Sequence, residues 1–204
     1  MLNSAVADVL ERYADELESS SDFNTALHAL IKKCISKHKR IIFNGNGYDD
    51  AWIKEATEVR GLLNLRTTAD AMPALLEEKN RSMLMHHRIF SESEIQSRYE
   101  IMLDNYCKTI VIEARAMSDM ASRDILPAIE AYTADLAGTV SAKQSIIPEL
   151  PCSYEKSRIR KLSMLVDQIA EAVRILEDAL ITLGLVSDIT MQANMIRDEI
   201  LPDM

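Results

Sequence analysis

SESEIQSRYEIMLDNYCKTIVIEARAMSDMASRDILPAIEAYTADLAGTVSAK, residues 91–143, decides the fold. Its apolar residues fall at Ile95, Tyr99, Met102 with Leu103, Tyr106 with Cys107, Ile110, Ala114, Met117, Met120 with Ala121, Ile125, Ile129, Tyr132 and Leu136. Steps of three and four match a 3.6-residue period and not the two-residue period of a strand. The stretch therefore predicts one long helix with an apolar stripe. Ser91 followed by Glu94 has the spacing of a capping box and places the start. Pro127 lacks an amide donor and crowds the turn before it, which predicts a kink there or a second helix beginning near Asp124. A helix with one apolar side needs other helices to cover it.

The flanking sequence supplies them. Downstream, Pro148 and Pro151 bracket a short extended joint. Ser153 opens a return helix with Ile159, Leu162, Leu165, Val166, Ile169, Val173, Leu176, Leu180 and Leu183 on one side, and Gly184 ends it. A further amphipathic segment, residues 189–204, has no cap at its far end. Upstream, Val6, Val9, Leu10, Tyr13 and Leu17 mark a first helix that Ser19 to Asp22 interrupts. Phe23, Leu27, Leu30, Ile31 and Cys34 mark a second, with Lys32, Lys33, Lys37, Lys39 and Arg40 gathered near its C-terminal end, where cations suit the helix dipole. Asp49 or Asp50 caps a helix to Arg60 with Trp52, Ile53 and Ala56 inward, and Gly61 stands where a C-cap glycine belongs. Another helix opens at Thr67 or Thr68 and runs through Leu75, Leu76, Met83 and Leu84 to His87.

The expected fold is all-α. It is an elongated helical bundle with a long antiparallel helical hairpin (residues 91–186) and one short Asn/Gly-rich non-helical loop (residues 40–49). Residues 1–22, 23–90, 91–186 and 187–204 are read as successive parts of one helical domain. Composition agrees: 48% hydrophobic residues, only five glycines and five prolines, and eleven methionines favour helix. A net charge of −9 opposes phosphate backbones, and no run of cations interleaved with aromatics offsets it, so nucleic acid is not an expected partner. No apolar run approaches membrane-span length. Cys34, Cys107 and Cys152 are odd in number and far apart, which fits a reducing, cytoplasmic setting better than a disulfide framework.

The chain offers little local chemistry. A di-iron carboxylate centre needs Glu-x-x-His pairs, but the residues three before His28, His38, His86 and His87 are Thr25, Ile35, Met83 and Leu84. His86 and His87 read as surface histidines at a helix end. No catalytic, cofactor-binding or metal-binding residue is assigned. The sharpest local feature is Asn44, Gly45, Asn46, Gly47 and Tyr48, which follows Ile41-Ile42-Phe43. Glycines let backbone amides form an anion-binding nest before a helix N-terminus. Asp50 stands where a dinucleotide fingerprint needs glycine, and no Gly-Lys-Ser/Thr follows. The residues alone leave open a structural turn and a functional loop.

HKRIIFNGNGYDDAW, residues 38–52, resembles a segment of the C-terminal region of type III glutamine synthetases, a large bacterial class of ATP-dependent glutamate–ammonia ligases. The likeness continues through Gly61-Leu62-Leu63-Asn64-Leu65, Ala71-Met72-Pro73, Glu78-Lys79-Asn80, SRYEIMLDNYCKTIVIEA at residues 97–114, and Asp119-Met120 with Ile125-Leu126-Pro127-Ala128. The opening, LNSAVADVLERYADELE, also looks like the segment by which that family's chain leaves its catalytic domain. The resemblance implies a C-terminal piece of a larger ligase. ATP, Mg2+ or Mn2+ and the bond-making residues would belong to the upstream catalytic domain, and the 204-residue piece would be inactive alone. It also implies a homo-oligomeric parent, with residues 44–48 packed on the catalytic core or a neighbouring subunit, and Trp52, Met102 and Tyr106 on buried surfaces. The competing expectation is a free-standing helical protein-interaction module, whose apolar stripes would close on themselves. An excised domain should instead expose apolar surface along residues 1–22 and 189–204.

Overall fold

The computed structural model describes residues 2–204, and no strand occurs among them. The chain divides into two compact units, with the boundary between Tyr99 and Glu100.

In the first unit, α1 (Leu2–Glu18) and α2 (Phe23–His38) form a helical hairpin. The turn between them is fixed by Asp22, whose carboxylate accepts from the Asn24 and Thr25 amides and from the Thr25 hydroxyl. These bonds to its ionised form hold the Asp22 carboxyl below the usual carboxylate range. Leu30 is buried, but Phe23, expected inward, is 57% exposed. A single helix was expected to run from Thr67 or Thr68 to His87, and it is broken into three pieces. These are α4 (Thr68–Ala71), a 3-10 turn at Met72–Leu76 containing Pro73, and α5 (Glu78–His86). Proline disfavours continuation of an α-helix, and Glu77 is extended (φ −60°, ψ 138°), so the pieces separate there. Ala69, Met72, Leu84, Ile95 and Tyr99 complete this unit's core. Between α2 and α4 lies α3 (Asp50–Lys54).

The long helix begins at α6 (Glu92–Met120) and continues as α7 (Leu126–Ile146), 55 residues in all. Ser91 and Glu94 form the anticipated capping box: Glu94 accepts from the Ser91 amide at 2.7 Å, and the Ser91 hydroxyl accepts from the Glu94 amide at 3.4 Å. Pro127 neither ends the helix nor starts a new one. A π turn at Ala121–Ile125 precedes it, closed by the Leu126 amide donating to the Ala121 carbonyl. The wider turn accommodates the missing donor and the bulk of the ring. The same device recurs at the end of the chain. Here α9 (Ile189–Met195) passes through a π turn at Ile196–Ile200 into α10 (Leu201–Asp203), with Pro202 at its start.

In the second unit α8 (Ser153–Leu183) runs back along the long helix. Ser118 bonds to Glu177 at 2.6 Å, and Lys143 reaches Glu155, so residue numbers rise on one helix as they fall on the other. That is the antiparallel hairpin the spacing predicts. Leu103, Cys107, Ala114 and Ala121 on one side and Leu176, Leu180 and Leu183 on the other are all buried. Ile196 and Ile200 are fully buried as well, so residues 189–204 do not present the exposed apolar face expected of them. Burial raises the pKa of the Cys107 thiol, and the three cysteines are free thiols. No helix among the described residues is long and apolar enough to cross a membrane.

Candidate functional site: the Asn/Gly loop and its pedestal

Residues 42–49 form an open loop between a 3-10 turn (Lys39–Ile41) and α3. The loop shapes itself locally. The Asn46 side chain accepts from the Tyr48 amide at 3.1 Å, the Asn46 carbonyl accepts from the Asp49 amide at 3.3 Å, and Asp49 caps α3 by accepting from the Ala51 amide at 3.0 Å. This is Asx-turn and N-cap chemistry, in which short polar side chains replace backbone partners. Asn44, Gly45, Asn46, Gly47 and Tyr48 are all exposed, Tyr48 by 94%. The structure thus brings the five sequence-selected residues to one outward-facing segment.

Beneath them is a layer that the sequence did not disclose. Phe43 and Trp52 stack with ring centroids 3.7 Å apart and planes 13° from parallel, and the Arg60 guanidinium lies 4.7 Å from the Trp52 ring. Arg60 also donates to the carbonyls of Arg40 (3.1 Å) and Ile42 (2.8 Å) and to the Glu55 carboxylate (2.6 Å). One guanidinium therefore ties both ends of the loop together. Its fixed fork of donors makes this possible where a lysine ammonium would not.

Arg60 reaches that position because of a second irregularity. In an unbroken α-helix a residue eight positions on lies about 80° around the axis from the first. Here α3 passes into a π turn at Glu55–Val59, closed by the Arg60 amide on the Glu55 carbonyl at 3.0 Å. The extra residue turns position 60 back to within roughly 20° of position 52. Gly61 then ends the helix with φ 61°, a conformation glycine adopts without penalty. Gly45 has a different constraint: a Cβ there would lie 2.6 Å from the Phe43 ring. The aromatic stack therefore requires glycine at 45, while nothing lies within 4 Å of a Cβ at Gly47.

Beside the pedestal an open groove of about 710 Å³ is lined by Ile35, Ser36, Lys39, Arg40, Ile42 and Arg60. Lys39 and Arg40, beside an Arg60 that Glu55 already pairs, make this a locally basic spot on an acidic chain. Of the residues expected on buried surfaces, Trp52 and Tyr106 are half-buried and Met102 is 52% exposed. Met102 lies just off the buried line of Tyr99, Leu103 and Cys107, so the stripe is narrower than its sequence pattern.

Comparison with known proteins bears on the same residues. The glutamine synthetase C-terminal domain family matches residues 26–144, which contain the loop, its pedestal and most of the long helix. A glutamine synthetase of Butyrivibrio fibrisolvens is 36% identical over 144 residues, covering 71% of this chain and 20% of the relative. A type-3 glutamine synthetase of Dictyostelium discoideum is 33% identical over 182 residues, 88% of this chain and 24% of that protein. A glutamine synthetase of Bacteroides fragilis is 28% identical over 186 residues, 87% and 25% respectively. The chain spans between a fifth and a quarter of the length of these relatives. With more than half of its residues matched, this chain belongs to the glutamine synthetase C-terminal domain family.

Proposed function

We propose that this chain is the C-terminal helical part of a type III glutamine synthetase, an ATP-dependent glutamate–ammonia ligase of the cytoplasm. In that role it braces the catalytic portion and the homo-oligomer and carries no bond-making chemistry itself. ATP and Mg2+ or Mn2+ would be held by the rest of the polypeptide. The observation that carries this reading is the form of the loop. Its exposed tip, Asn44 to Tyr48, stands on a layer locked by the Phe43–Trp52 stack and the Arg60 clamp. An ordered and solvent-facing segment is preorganised for a partner, because little ordering entropy remains to be lost on docking. The basic groove next to it suits an acidic surface on that partner. Leu2, Val6 and Leu10 form an exposed stripe on α1 at four-residue spacing, which disfavours the free-standing module.

The test is made in the full-length ligase. Replacing Asn44 and Asn46 together by alanine should lower glutamine formation or shift the oligomer toward smaller species in analytical ultracentrifugation. Wild-type turnover with intact assembly would remove the loop from both roles. The isolated 204-residue chain should give no glutamine from glutamate, ammonia and ATP under conditions where the full-length protein does.

A further inference from the structure

A second cluster, unrelated to the loop, joins α1 to α5. Glu11 of α1 lies against the consecutive histidines His86 and His87 at the end of α5, and one ligand atom from each lies within 4.8 Å of the others. Glu11 Oε2 is 2.8 Å from His86 Nε2 and 3.8 Å from His87 Nε2. Asp8, three residues before Glu11 and so on the same face of α1, places Oδ1 3.4 Å from His87 Nε2. Consecutive residues of a regular helix point about 100° apart. The two rings nevertheless meet, edge to face with centroids 4.9 Å apart, just where the chain leaves α5 (His87 φ −78°, ψ 7°; Arg88 φ 52°).

We propose that Glu11, His86 and His87 form a site for a divalent transition-metal cation of the zinc type, which fastens α1 to α5. Three observations support it. The donor set, two imidazoles and a carboxylate, is one that zinc accepts with its fourth position open. Tetrahedral bonds of about 2.0–2.1 Å separate donor atoms by roughly 3.3 Å, so the 2.8 and 3.8 Å distances from Glu11 require shifts of about half an ångström, and the two imidazole donors, within 4.8 Å of each other, close in by rotation of the exposed His86 side chain. Finally, His87 Nε2 is buried and makes no hydrogen bond, since Asp8 faces it without the alignment of one. A buried polar atom without a partner is costly, and a cation would satisfy it. Asp8 is already paired with Arg12 at 3.1 Å, which makes it an outer carboxylate and not a ligand.

The site has a structural consequence. No residue of α1 is fully buried, and polar pairs tie it to α2 and α5: Glu16 with Lys33, Tyr13 with Cys34, and the Asp8 and Glu11 carboxylates with the histidines. A bound cation would convert a weakly docked helix into a fixed one, by mass action on the docked state.

Zinc chloride is titrated calorimetrically into the 204-residue chain carrying Cys34→Ser, so that the partly exposed thiol does not compete, and Co2+ absorption reports the coordination geometry. The expected result is one site of micromolar affinity or tighter. Affinity should fall at least about 100-fold in His86→Ala, His87→Ala and Glu11→Gln, beyond the usual 10–100-fold cost of losing a second-shell partner, and by less in Asp8→Asn. Zinc should also slow amide exchange along α1 in the parent chain and not in His86→Ala. His86 is exposed, so that variant is expected to fold even if His87→Ala does not, and far-UV circular dichroism checks this. The absence of saturable binding up to millimolar zinc, or equal binding by the His86→Ala chain, would overturn the site.

Discussion

The antiparallel helices α6 to α8 and the loop above α3 hold their shapes by different means. Along the hairpin, fully buried side chains such as Leu103, Ala114 and Leu176 recur at helical spacing. Non-directional apolar burial then supplies most of the stabilisation. Between residues 40 and 61 no residue is fully buried. Order there depends on one aromatic stack, one guanidinium and a few side-chain bonds to backbone, each directional and each singly removable. The hairpin should therefore lose global stability when it is damaged, whereas the loop should lose local geometry.

The largest effect tests the first half of that contrast. Leu103→Ala and Leu176→Ala each delete a side chain that is 1% exposed, and each should cost about 2–5 kcal/mol in urea unfolding. A cost below about 1 kcal/mol would mean that the hairpin core is not packed as described.

Next in size is Arg60→Ala, which removes the clamp on the Arg40 and Ile42 carbonyls together with the cation over Trp52. A loss of about 1–3 kcal/mol confined to this region is expected. Trp52 is the only tryptophan, so its emission should shift red while far-UV circular dichroism stays unchanged. Arg60→Lys should not restore it, because an ammonium cannot span the same acceptors. Gly45→Ala probes the stack from the other side: its methyl would press on the Phe43 ring and change the same emission, whereas Gly47→Ala should leave it unaltered. Equal effects at 45 and 47 would break the distinction between pedestal and exposed tip.

Smaller again is Ser91→Ala, which removes the capping hydroxyl of the long helix and should cost about 1 kcal/mol. Its partner gives the finest test. Bonds from the Ser91 amide and hydroxyl hold the Glu94 carboxyl below its ordinary range. A carboxyl depressed in the folded state contributes stability that is present above its unfolded pKa and lost as pH falls through the folded pKa. Glu94→Gln should thus lower stability slightly near neutral pH and make the acid limb of the stability curve shallower. An unchanged acid limb would remove Glu94 from that balance.

Much of the helical framework was legible in the sequence because apolar spacing, caps and glycine stops are local signals. Ser91 with Glu94, Asp49 before α3 and Gly61 after it each act within a turn or two of themselves. The five exposed loop residues were legible for the same reason, since paired Asn-Gly steps are turn chemistry. Phe23 and Met102 were misjudged because periodicity gives the side of a helix and not the width of the strip its neighbours cover.

The sequence by itself determined the helical class, the hairpin and the place of the loop, since each rests on interactions between residues close in the chain. Tertiary structure decided what those signals cannot carry. It set the Arg60 clamp on the Arg40 and Ile42 carbonyls, 20 and 18 residues away, and it brought Glu11 to His86, 75 residues away. Local propensity acts over a few residues, whereas a guanidinium clamp or a convergence of imidazoles on a carboxylate exists only once packing has fixed which backbone segments are neighbours.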